Sequence, residues 1–327
     1  MTIDQTVVRT VVRTVLGDID PAALGVTYAH EHLVIDGGRP VLMQPDFDLG
    51  DVDLMTAEVT AAAARGLRSV VDAMPCDAGR NAQKLAEISR RTGVNVIAPT
   101  GLHHDRYYGP AHWSHRISVE ELADLFVADV DEGIDAYDYA GPVVRRTPFR
   151  AGVIKIAGSA DGLSARDERV FAAATIAHGR TGVPILTHCE HGTGAMDQIR
   201  FLADRGVDPS HVALSHVDKL VDRGLHRDLL ATGAYAEYDG AFRWGDRPNG
   251  TLQLLEWMAE DGMMDRIVLG MDAARRGYYA VYGGSPGLTY LLDGFSTTME
   301  ARGLDAAIRR RLFVDNPARL FAVAPHD

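Results

Sequence analysis

Eight times along this chain a short run rich in Val, Ile, Leu and Ala is followed by a helical stretch. The runs cover 25–35, 68–73, 95–100, 152–157, 183–188, 211–216, 234–238 and 266–272. Their near-continuous apolar character predicts strands buried on both faces, as in a parallel sheet covered by helices. Helices are expected over 56–66, 80–92, 118–135, 164–179, 194–205, 219–231 and 249–261, with two more near 287–302 and 304–313. Eight strand–helix units without a linker predict one α/β domain, a parallel (β/α)8 barrel spanning 1–327. An open doubly wound sheet is disfavoured, because no GxGxxG follows the first strand. A Val/Thr-rich hairpin over 7–20, turning at Gly17-Asp18, is expected first. The division is therefore 1–24 for the hairpin segment and 25–327 for the barrel and its C-terminal helices.

Charge and cysteine content narrow the function. Lys and Arg number 33 against 45 Asp and Glu, a net charge of −12. That field argues against a nucleic-acid or anionic-membrane surface, and an anionic ligand would need a local arginine cluster. The two cysteines, Cys76 and Cys189, make no disulfide framework and fit a reducing compartment. Residues 1–5 lack a basic stretch leading into an apolar run, and no run reaches membrane-span length. The expectation is a cytoplasmic protein acting on a small molecule.

The first run, Val26-Thr27-Tyr28-Ala29-His30-Glu31-His32-Leu33-Val34-Ile35, ends in two histidines spaced i, i+2. On a strand they face the same way, with Glu31 opposite. In a barrel of this kind chemistry sits at the C-terminal strand ends. Those ends carry His30 and His32 (first), Lys155 (fourth), His188 (fifth), His216 (sixth) and Asp272 (eighth). Each alone has an ordinary explanation: a loop-facing imidazole, a lysine stem packed along apolar surface, an aspartate capping the next helix. Four histidines at equivalent ends, joined by Lys and Asp, point instead to a metal site. Such donors suit Zn²⁺, Mn²⁺ or Co²⁺, and there are too many for one tetrahedral ion, so two divalent ions are expected. An ammonium has no lone pair, so Lys155 would have to lose its charge or be modified to join them.

From Gly17 to Asn316-Pro317-Ala318-Arg319 the chain resembles the phosphotriesterase-like family of the amidohydrolase superfamily. The resemblance is carried by Tyr28-Ala29-His30-Glu31-His32, Val153-Ile154-Lys155, Thr187-His188, Ser215-His216-Val217-Asp218 and Gly270-Met271-Asp272. It implies a carboxylated Lys155 bridging two metals, with His30, His32 and Asp272 on one and His188 and His216 on the other. It further implies hydrolysis by a metal-bridging hydroxide, Asp272 as the catalytic proton acceptor, and a homodimer.

The loops after strands seven and eight carry Arg243, Arg275, Arg276 and Tyr278. Arginine forks suit phosphate or carboxylate. The arrangement resembles the lactone-opening branch of the family, including enzymes for sugar lactones bearing a phosphate, which implies Arg243, Arg275 and Tyr278 as substrate contacts. Lactonases of the family carry Tyr after strand three, whereas this chain has Gly101-Leu102-His103-His104, so either His103 substitutes or the substrate is an acyl compound of another kind. The loop 101–117, with Tyr107, Tyr108 and Trp113, is expected to line the pocket. The alternatives are an organophosphate triester hydrolase and, in another class, a non-catalytic metal-binding protein on the same fold.

Overall fold

The computed structural model describes residues 10–323. An antiparallel hairpin, β1 (Val12–Thr14) and β2 (Gly17–Ile19), comes first. The expected hairpin residues 7–9 lie outside the described residues. Eight parallel strands follow: β3 (Thr27–Glu31), β4 (Ser69–Asp72), β5 (Asn95–Thr100), β6 (Ala151–Gly158), β7 (Ile185–Cys189), β8 (Val212–Ser215), β9 (Tyr235–Tyr238) and β10 (Ile267–Leu269). They pair in sequence order from β3 to β10. Just past β10 the ring closes, where the Met271 and Asp272 N–H groups donate to the His30 carbonyl at 3.2 and 2.9 Å. The expected (β/α)8 barrel is the fold.

The helices of the outer ring begin and end on local signals. They are α1 (Gly38–Met43), α2 (Val52–Ala64), α3 (Ala82–Thr92), α4 (Val119–Asp131), α5 (Ala165–Thr181), α6 (Ala195–Ala203), α7 (Arg223–Ala231) and α8 (Gly250–Glu260). Ser118 with Glu121, and Ser164 with Asp167, form reciprocal caps that satisfy orphan N–H groups at the starts of α4 and α5. Two departures from expectation lie early in the chain. The Asp51 carboxylate accepts from the Asp53 and Leu54 N–H groups at 3.0 Å each, so α2 starts one turn before Thr56. The stretch 36–55, between the expected first strand and the helix expected over 56–66, contains α1. The chain closes with short helical segments between Leu291 and Leu320.

Two apolar clusters divide the interior. One lies between sheet and helices and includes Tyr28, Ile154, Ile156, Phe171 and Leu254. The smaller one includes Ala29, Val71, Ile97, Val153, Leu186, Ala213, Tyr235 and Val268, and fills the barrel. Stepping two residues along β6, β7, β8 and β9 from this inner layer reaches Lys155, His188, Ser215 and Glu237. The polar layer at the mouth is thus the next storey of the same packed core.

Candidate metal centre

Two of the candidate ligands reach the mouth against simple strand alternation. Between Tyr28 and Glu31 the pairing of β3 with β4 slips by one residue. Ala29 joins the inner cluster, yet the next residue, His30, still turns inward. His32 lies one residue past β3, its ring 5.5 Å from that of His30. His216 follows the inward-facing Ser215 and turns back to the mouth through a left-handed backbone, φ 69°. Asp272 keeps step with the inward-facing Val268 and also has a left-handed backbone, φ 47°. Non-glycine residues in this region carry strain of about 1–3 kcal/mol each. His188 and Lys155 need no such device.

The donor atoms fall into two groups. Asp272 Oδ1 lies 3.1 Å from His32 Nε2 and 3.6 Å from His30 Nε2. His188 Nδ1 and His216 Nε2 face each other at 2.8 Å. The far ring nitrogens meet carboxylates. His30 Nδ1 lies 3.1 Å from both Glu237 Oε2 and Ser215 Oγ. His216 Nδ1 lies 2.6 Å from Asp239 Oδ2, and His188 Nε2 lies 2.7 Å from Glu190 Oε2. Imidazoles that ligate metals are held by such outer partners.

Proton bookkeeping then tests the fit to a metal. Burial holds His30, His188 and His216 below the usual imidazole range, so each carries one N–H at neutral pH. Where that proton points outward to a carboxylate, the inner nitrogen has only a lone pair. Two lone pairs then confront each other across 2.8 Å between His188 and His216. A third faces the Asp272 carboxylate. Burial works to raise the Asp272 carboxyl, but Arg243, His216 and His32 together hold it well below the usual carboxylate range. Such confronted lone pairs and an anion are stable when cations lie between them, and the donor set suits a divalent transition metal.

Lys155 is buried, its Nζ 3.4 Å from Ser215 Oγ, the hydroxyl that also meets His30 Nδ1. Burial brings its amine down to about 8, against the pull of Glu237, Asp272 and Asp239. A buried lysine with this value has an accessible neutral form, which is the reactive one.

The mouth opens into a cavity of about 240 Å³ lined by His30, His32, His188 and Asp272 on its floor. All four expected substrate contacts line it: His103, Arg243, Arg275 and Tyr278. They are not equally free. Arg243 donates from Nη1 to Asp272 Oδ2 at 2.9 Å and from Nη2 to the carbonyls of Met271 and Asp272. Arg275 stacks on Phe47 at 4.5 Å and has only a loose pair with Asp46 at 3.9 Å. Arg276 is taken up by Asp48 at 2.7 Å. The backbone N–H of His104 donates to His103 Nδ1 at 2.7 Å, leaving His103 Nε2 as its N–H. Of the loop 101–117, Tyr107 lines the cavity. Tyr108 instead takes the His103 N–H and donates to the Cys76 carbonyl, and Trp113 donates to Asp77. Those two rings hold the loop down.

Sequence reasoning missed the buried carboxylates behind the ligands. Glu237 sits inside an apolar strand, and Asp239 follows it by two residues. Glu31 accepts the N–H groups of Met271 and Ala273 at 2.7 and 3.3 Å. A fully buried acid within an apolar run was the available signal, because such a group is costly unless partnered.

The phosphotriesterase family model matches residues 10–321. The phospho-furanose lactonase of Mycoplasmopsis synoviae is 33% identical over 324 residues, covering 95% of this chain and 91% of the relative. Among solved structures, an amidohydrolase from Mycoplasma synoviae superposes with a TM-score of 0.94 at 30% identity, covering 98% of this chain and 94% of that one. A lactonase from Listeria monocytogenes superposes with a TM-score of 0.87 at 27% identity, covering 97% of this chain and 100% of that one.

Proposed function

This chain belongs to the phosphotriesterase family, and from that premise we propose that it is a metal-dependent lactonase whose substrate is a small lactone carrying an anionic group such as a phosphate. The observation that carries the metal reading is the 2.8 Å approach of His188 Nδ1 to His216 Nε2, with carboxylates behind both rings. His30, His32 and Asp272 would hold one divalent ion and His188 and His216 the other, with a carboxylated Lys155 between them. Zinc is the expected metal, and Mn²⁺ or Co²⁺ suits the same donors. Bound ions would polarise the lactone carbonyl and lower the pKa of attacking water.

The chain's own groups supply the rest. Asp272 directs Oδ1 toward the imidazoles and Oδ2 toward Arg243. From there it would take a proton from the attacking water and return it to the leaving alkoxide as the ring opens. The His103 Nε2–H would orient the lactone from the cavity wall. Arg275, the least committed guanidinium at the mouth, and Tyr278 would hold the anionic group. Arg243 contributes field at that end while staying on Asp272.

The cavity size bears on the competing reading. At about 240 Å³ it falls below the range of roughly 300–1,000 Å³ typical of drug-sized ligands. That supports a compact furanose-sized substrate over a bulky aryl triester. The presence of a complete set of candidate ligands, Asp272 included, also disfavours a binding-only role. The whole chain would work as one hydrolase unit and, by family resemblance, as a homodimer. Among the described residues no helix is long and apolar enough to cross a membrane. The deciding experiment is a panel of phosphorylated and plain lactones, esters and phosphotriesters against protein loaded with Zn²⁺ or Mn²⁺, with metal content measured. Preference for a triester, or turnover without metal, would overturn the reading.

A further inference from the structure

Glu190 stands where the wall of the metal centre meets the loop after β5. Its Oε2 lies 2.7 Å from His188 Nε2, while the opposite nitrogen of that ring faces His216. The residue after it, His191, has φ 57°, so the chain bends sharply as soon as Glu190 has reached back to the ring two positions upstream. From the other side Arg106 grips both carboxylate oxygens, Nη1 to Oε1 at 3.1 Å and Nη2 to Oε2 at 3.2 Å. His104 Nε2 lies 2.9 Å from the same Oε2.

We propose that Glu190, gripped by Arg106, is a positioning residue that sets the tautomer and tilt of His188. The inference rests on the reading that His188 and His216 share an ion. By accepting the Nε2–H, Glu190 leaves the Nδ1 lone pair aimed at that ion, as carboxylate–histidine pairs do. His30 and His216 have their own acids, Glu237 and Asp239, both fully buried. His188 lies nearer the rim, and its acid comes from the loop after its own strand. The counter-charge comes from the loop that also carries His103 and Tyr107. The His188 ligand is thereby tied to a wall of the substrate cavity.

A different use of the same atoms is a third ion, since His104 Nε2, His188 Nε2 and Glu190 lie close enough to ligate together. Arg106 argues against it. A guanidinium on both oxygens already supplies the positive charge, and a cation beside it would be repelled.

The test counts ions in wild-type, Glu190→Ala, Glu190→Gln and Arg106→Ala proteins by elemental analysis after dialysis against buffered Zn²⁺. The visible spectrum of the Co²⁺-substituted forms is recorded alongside, with melting of the metal-free proteins as the folding control. Wild type is expected to hold two ions. Glu190→Ala is expected to bind one of them about 10–100-fold more weakly, with an altered Co²⁺ spectrum and metal-free melting close to wild type. Glu190→Gln, which keeps one acceptor oxygen, should fall between, and it carries the test if the alanine variant does not fold. Arg106→Ala should move the same way by less. Unchanged affinity and spectrum in both Glu190 variants would overturn the proposal. So would three ions in wild type falling to two in Glu190→Ala, because Glu190 would then be a ligand. Fewer than two ions in wild type, or two ions kept by His188→Ala, would instead overturn the underlying metal reading.

Discussion

Arg243 and Glu31 hold the Asp272 turn from opposite sides. Arg243 donates to the carbonyls of Met271 and Asp272 and to the Asp272 carboxylate, while Glu31 accepts the N–H groups of Met271 and Ala273. Asp272 sits between them with a left-handed backbone. A strained residue persists only where its surroundings over-determine it.

Arg243→Ala should therefore act on turnover more than on substrate affinity. A displacement of catalytic geometry of this kind costs about 100-fold in rate. Arg243→Lys should rescue little, because one ammonium cannot replace a planar fork on three acceptors. Steady-state kinetics check this. A rise confined to KM would return Arg243 to the role of a substrate anchor.

Asp272→Asn keeps the shape of the side chain and removes the proton acceptor. Turnover should drop by about 10²–10⁴-fold while metal content stays near two ions per chain. Wild-type turnover would remove Asp272 from the mechanism.

Arg275→Ala and Tyr278→Phe should raise KM for a phosphorylated lactone and leave an unphosphorylated one unaffected. A charge-assisted hydrogen bond of this kind is worth about 1.5–3 kcal/mol, or roughly 10–100-fold. Equal losses on both substrates would show that these side chains do not read the anion.

The Lys155 amine, brought by burial to about 8 from the ordinary 10.5, should govern activation. Carboxylation joins the neutral amine nitrogen to the carbon of CO₂ and releases a proton. Loading of metal-free protein at a fixed concentration of dissolved CO₂ should accelerate as pH rises toward 8 and level off above about 8. An exposed lysine would keep gaining neutral form up to 10.5. Because the charged form is the one penalised, the metal-free protein should also gain stability as pH rises between those two values. Loading that climbs steadily past pH 9 would contradict the assignment, and Lys155→Ala should load poorly at every pH.

Gly270→Ala probes the barrel closure. A Cβ there would lie 2.7 Å from the His30 carbonyl oxygen and 2.8 Å from its nitrogen, both backbone atoms. Overpacking against backbone costs about 1–3 kcal/mol. The variant should melt earlier and bind metal at His30 more weakly. Unchanged melting and metal content would mean that the closure is compliant.

Much of the site was legible because its chemistry coincides with strand ends. The apolar runs marked the strands, and His188 and Lys155 follow from counting residues along them. The substrate-facing groups read less well. Arg243 and Arg275 look alike in sequence, yet one spends its donors on the Asp272 turn and the other reaches the cavity nearly uncommitted. Tyr108 and Trp113 resemble pocket residues and serve as pins for a loop.

Residue order alone determined the strand–helix rhythm, the barrel it implies and the set of donors at one face, because periodicity and residue type are local properties. Only the folded chain decided how His30 and His216 turn into that face, through a slipped register and a left-handed residue. It also decided which acid stands behind which imidazole. Glu190 comes from the loop just after its histidine's own strand, but Glu237 stands 207 residues from His30, and Asp239 comes from the end of the strand after His216. Such pairings arise from closure of the ring, and no local pattern encodes them.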